Sequence, residues 1–163
     1  RIMKSNRTCY ILIADGFAEK SVSQAVQIFR NYNIKPIFLN LFASPLLNRL
    51  FAKYRVDSVL IGDITDAALP NGLLFAGGED CAQLFLIDPR VHQLVCHMKE
   101  INRPVGYLYP AATSLVDKLS PKDCGKRLLL QERLHVDQFL HDFMQHMSSP
   151  NSLFKQQAAS LLL

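Results

Sequence analysis

Two side chains with nucleophilic potential follow short apolar runs that end in turns. Cys81 comes just after Gly77-Gly78, in the expected first turn of a helix, where unpaired backbone N–H groups favour a thiolate. The competing reading is a small helix residue facing the core, and Glu79 and Asp80 beside it would raise its pKa. Tyr109 closes the run PVGYLY and is followed at once by Pro110. A phenol, with an ordinary pKa of about 10, is a weak nucleophile at neutral pH without strong activation. The other reactive groups offer less. Cys9, Cys81, Cys96 and Cys124 match no zinc spacing and no C-x-x-C motif. Cys9 and Cys96 sit in apolar periodic segments and read as small core residues, whereas Cys124, in the polar stretch SPKDCGK, reads as an exposed adventitious thiol. His92/His97 and His141/His146 are spaced by five rather than by the four of a helical metal pair, and with His135 they read as surface residues. Asp63 and Asp66 read as turn and capping residues. No metal and no cofactor is expected.

The elements that position these residues alternate in period. Thr8 to Ala14 is a short apolar run ending at Asp15-Gly16, a buried strand followed by a turn. Val22, Ala25, Val26, Ile28 and Phe29 recur at helical spacing between Glu19 and Tyr32, with Ser21 or its polar neighbours opening the first turn. Lys35 to Leu41 returns to a strand, completing a unit of βαβ size. Leu46 to Ile61 reads as one or two strands, a hairpin being one arrangement, and Asp66 to Leu69 as a short helical turn stopped by Pro70. Leu73 to Ala76 is an apolar strand ending at Gly77-Gly78, with a helix from about Asp80 to Leu86 after it. Asp88-Pro89 restarts a helix, Asp as N-cap and Pro in the first turn. Pro104 to Tyr109 is a strand, and Pro110 is expected to begin the next helix. Leu128 to Leu130 reads as a last strand, His135 to Met147 as an amphipathic helix, and the chain from Ser152 toward Leu163 as a final helix.

Strands alternating with helices predict a three-layer α/β/α sandwich around a mostly parallel sheet, flavodoxin-like in layering. In such sheets ligands bind beyond the carboxyl ends of the strands, here Asp15-Gly16, Gly77-Gly78 and Tyr109-Pro110. The 163 residues fit one domain, read as 8–163 after an N-terminal extension over 1–7. With 49% hydrophobic residues the chain can fill a core without staples. The net charge of +4 is scattered, with no basic stripe or nucleic-acid motif, so a solvated surface is expected and no nucleic-acid partner. No apolar run is long enough for a transmembrane helix, so no membrane partner is expected. Few cysteines and the absence of a signal-peptide pattern place the expectation in the reducing cytoplasm.

The three strand ends, in their order along the chain, resemble the ThiJ/PfpI family of class I glutamine amidotransferase-like proteins. The stretch ILIADGFAEKSVSQAVQIFRNYNIKPIFLN is similar to the family's first βαβ unit, LLFAGGEDCAQLFLIDPRVHQLV to its Gly-Gly strand and following helix, and RPVGYLYPAATSL to its nucleophile elbow. The resemblance implies a Cys on that elbow, an oxyanion hole made by the N–H after the nucleophile and one from the Gly-Gly turn, and a Glu from the first helix, often with a His after the elbow. This chain departs from that set. Tyr109 takes the Cys position, Pro110 the next, and proline has no N–H. Ser21 takes the Glu position, and Glu19, two residues earlier, projects about 200° away on a helix. No His lies between Tyr109 and His135.

The sequence therefore predicts a degenerate member of that family, without its thiol chemistry, acting as a binding, scaffold or chaperone-like module. The degenerate site would comprise Tyr109, Pro110, Ser21, Gly78 and Cys81. Tyr109 either lines a pocket that takes a small-molecule ligand or fills the vacated space beside Pro110. The alternative is a small-molecule hydrolase or lyase, of glyoxalase, deglycase or amidase type, with a displaced site using Cys81 or Tyr109. Redox sensing through Cys81 or Cys124 is a third reading. The resemblance also implies a homodimer.

Overall fold

Along the first strand, alternate side chains enter two different cores, and this period of two organises the whole molecule. The computed structural model describes residues 7–111, 113–119, 128–130 and 136–147. Strand β1 (Thr8–Leu12) lies between β2 (Lys35–Asn40) and β4 (Gly72–Phe75), and β3 (Ser58–Leu60), β5 (Val105–Tyr107) and β6 (Leu128–Leu130) complete a six-stranded sheet in the order β3-β2-β1-β4-β5-β6. Every pairing is parallel, with Tyr10 opposite both Ile37 of β2 and Leu73 of β4.

Cys9, Ile11 and Ile13 face α1 (Glu19–Asn31), α2 (Pro45–Tyr54) and α6 (Val136–His146), where Val22, Phe29, Leu50, Leu140 and Phe143 meet them. Tyr10, Leu12 and Ala14 face the opposite layer, built from α3 (Glu79–Ile87), α4 (Pro89–Glu100) and α5 (Thr113–Leu119). There Phe75 stacks on Tyr107 at 4.7 Å between ring centroids and meets Phe85 edge-on at 5.6 Å. The three-layer α/β/α sandwich expected from the sequence is thus present.

Three local expectations are corrected. The segment read as a strand pair from Leu46 is the helix α2. Ser44 occupies its N-cap position, Pro45 its first turn, and Leu46, Leu47, Leu50 and Tyr54 turn toward the core at helical spacing; only β3 is extended. Pro110 does not begin a helix, because its carbonyl is engaged by the neighbouring loop; the Tyr109–Pro110 peptide is cis, and α5 starts at Thr113. Cys96 is exposed rather than in the core, because Val91, Leu94, Val95 and Met98 take the inner face of α4 and leave position 96 on the outer one. The restart at Asp88 holds: its carboxylate accepts from the Arg90 N–H at 2.9 Å. Cys124, His135 and the expected final helix lie outside the described residues.

Candidate functional site

Because all strands run the same way, the ends of β1, β4 and β5 deliver their loops to one edge of the sheet. The strand order reverses between β1 and β4, which in open α/β sheets is where a crevice forms. Here the crevice region is bridged by hydrogen bonds to main-chain carbonyls. The Ala18 N–H, at the start of α1, donates to the Gly77 carbonyl at 2.8 Å. The Gly78 N–H donates to the Pro110 carbonyl at 3.0 Å. The Ser21 hydroxyl, on a buried face of α1, donates to the Tyr109 carbonyl at 3.3 Å. Three loops distant in sequence are joined directly to one another.

Glycine is required at two of these positions. A Cβ on Gly77 would stand 2.5 Å from the backbone of Tyr109 and Pro110, a separation no methyl group tolerates. Gly78 has φ +121°, and a Cβ there would come within 2.9 Å of the Gly16 carbonyl oxygen. The Gly-Gly turn therefore allows backbone to pack on backbone.

The structure brings Ser21, Gly78, Tyr109 and Pro110 together: the Ser21 hydroxyl and the Gly78 N–H reach the carbonyl oxygens of Tyr109 and Pro110. Tyr109 is 38% exposed. Ser21 is the third residue of α1 rather than its cap; the N-cap position belongs to Ala18, with no side-chain cap bond. Glu19 points elsewhere, into ion pairs with Arg49 at 3.0 Å and Lys53 at 2.6 Å that tie α1 to α2. The hydrogen bond from Lys53 is the main reason its carboxyl is held below the usual glutamate range.

Cys81 turns away from solvent into the core of the α3–α4–α5 layer, with no accessible surface. Its Sγ lies 3.2 Å from the Gly78 carbonyl oxygen and 3.3 Å from that of Gly77. Burial pushes the thiol up to about 11; the N–H groups of Cys81 and Ala82 oppose this, and the charges of Asp80 and Glu79 add to it. The helix N-terminus does favour the thiolate here, as the sequence suggests, but desolvation outweighs it.

Beyond the ends of β1 and β2 lies a cleft of about 700 Å³ lined by Asp15, Gly16, Phe17, Glu19, Pro45, Leu46 and Arg49. Sequence reasoning missed its α2 wall. The signal was present in Ser44-Pro45 and in the helical spacing of Leu46, Leu50 and Tyr54, but the density of apolar residues in that stretch reads equally as a strand. Among the described residues no group of three His, Cys, Asp or Glu side chains stands close enough to hold a metal ion, and no helix is long and apolar enough to cross a membrane.

No protein-family model matches the sequence, and no curated protein matches it. Among solved structures, oxidized DJ-1 from Toxoplasma gondii superposes with a TM-score of 0.64 over 96% of this chain and 98% of that chain, at 10% sequence identity. The two chains share a fold.

Proposed function

We propose that this chain is a ThiJ/PfpI-like protein that has lost the family's cysteine-dependent activity and works as a binding or scaffold module, chaperone-like in character. The reading rests on one observation above the rest. The resemblance assigns two N–H donors to an oxyanion hole, one after the nucleophile and one from the Gly-Gly turn. The residue after position 109 is Pro110, which has no N–H, and the Gly78 N–H already donates to the Pro110 carbonyl. Loss of a single such donor costs roughly a hundredfold to a thousandfold in rate. With Tyr109 in place of the thiol, the covalent route is absent as well. A displaced site at Cys81 would need an accessible thiolate, and that side chain is buried and held protonated.

Binding rather than turnover is then the role of this edge, and the cleft beside Phe17 and Leu46 is where a small molecule or an extended segment would lie. The purified chain, assayed against methylglyoxal, glycated amines, small amides and peptides, is expected to give no turnover above buffer. Turnover abolished by Tyr109→Phe or by Cys81→Ala would overturn the reading in favour of a hydrolase or lyase.

A further inference from the structure

At the sheet edge opposite the Tyr109 loops, α1 and α2 end side by side. Asn33 (φ 58°) and Arg55 (φ 54°) each turn the chain through the left-handed region there, into β2 and toward β3. Between these turns lies a cleft of about 330 Å³ presenting Arg30, Asn33, Lys35, Arg55 and Asp57 beside Pro36.

Its charge is lopsided. Asp57 pairs with Lys35 at 3.0 Å. Among the described residues, no carboxylate pairs with Arg30 or Arg55. Arg30 donates through one terminal nitrogen to the Arg55 carbonyl at 2.7 Å, which fixes its guanidinium at the cleft. The Arg55 guanidinium carbon lies 5.7 Å from the centroid of the Phe51 ring, which supports it from one side. The last turns of α1 and α2 contribute roughly half a negative charge each. Three cations against one carboxylate exceed that, so the cleft keeps a positive excess.

We propose that this cleft binds the phosphate group of a small phosphate monoester through Arg30, Lys35 and Arg55. A guanidinium fork matches phosphate oxygens in pairs, and a lysine adds a compact charge. The volume is at the small end of ligand sites, suited to a short-chain or sugar-sized phosphate. A nucleic-acid strand would need a longer basic track with aromatic platforms, and the charges here are confined to one cleft.

The test is an amide-resolved NMR titration of the full chain with glycerol 3-phosphate, with inorganic phosphate, acetate and a single-stranded oligonucleotide as parallel arms at constant ionic strength. Saturable shifts at Asn33, Lys35 and Arg55 to Asp57 are expected with both phosphates and not with acetate. Arg30→Gln and Arg55→Gln should each weaken binding by at least about tenfold, the scale of one charge-assisted hydrogen bond. Arg30→Lys, which keeps the charge and removes the fork, should recover part of it. The spectra report directly whether each variant is folded. No saturation, an equal response to acetate, unchanged binding by both Gln variants, or tighter binding of the oligonucleotide at the same amides would each overturn the proposal. None of these outcomes bears on the reading of the Tyr109 edge.

Discussion

Pro110 and Cys81 act on the candidate site by opposite means. Pro110 acts through what its backbone lacks and what its carbonyl accepts, the Gly78 N–H. Cys81 acts through where its side chain goes, into a layer of apolar neighbours that suppress its ionisation. A thiol raised to about 11 is ionised at neutral pH to the order of one part in ten thousand, and burial restricts access further. With a limiting alkylating reagent at pH 7, followed by peptide mapping, Cys96 should be modified well before Cys81 and Cys9, both fully buried. Cys81 and Cys9 should react fast only after unfolding. Preferential labelling of Cys81 in the native protein would restore the displaced-nucleophile reading. The sequence shows which residue types meet at this edge, because each ends an apolar run. It does not show that Gly78 and Pro110 bond to one another, since a contact between residues 32 positions apart carries no local pattern.

Elements with explicit terminal chemistry are the ones the sequence specifies most sharply. Helix α4 begins where Asp88 and Pro89 predict, with the Asp88 carboxylate accepting from the Arg90 backbone and side chain. Helix α2 carries a comparable signal in Ser44-Pro45, but its apolar residues fall in a run that a strand also explains, so its type becomes clear only once Leu50 is seen buried against the sheet. Asp88→Ala should cost about 1 kcal/mol of stability, the usual worth of an N-cap, measured by urea unfolding at pH 7. The effect has a pH signature. The hydrogen bond from the Arg90 side chain, foremost, holds the Asp88 carboxyl below its usual value. Its contribution is therefore fully present above the unfolded-state value of about 4 and fades as pH falls through the lowered native one. The difference between wild type and Asp88→Ala should shrink over that acid limb. A gap independent of pH would assign the loss to packing instead.

For the molecule as a whole, the alternation of strand and helix along the chain was enough to read the layers, and the buried residues of β1 divide between the two cores as period two requires. The order of strands was not legible, because each strand is short, apolar and interchangeable with its neighbours by pattern alone; the crossover from β3 to β4 past β2 and β1 is a tertiary fact. Assembly also belongs to this scale. We propose a homodimer, on the strength of the resemblance to the ThiJ/PfpI family. Sedimentation equilibrium on the purified chain should return twice the monomer mass with one discrete association step. A monomer throughout the micromolar range would remove this proposal and leave the fold untouched.

The main-chain bonding among the three loops has an evolutionary consequence. Where side chains hold a rim together, each one is constrained; where amides and carbonyls do so, the side chains above them are free to drift. Position 109 meets position 21 through its carbonyl oxygen, which any residue carries, whereas Gly77 and Gly78 can accept almost nothing else. Such an edge can take a new set of outward-facing side chains from one lineage to the next while its backbone geometry is kept.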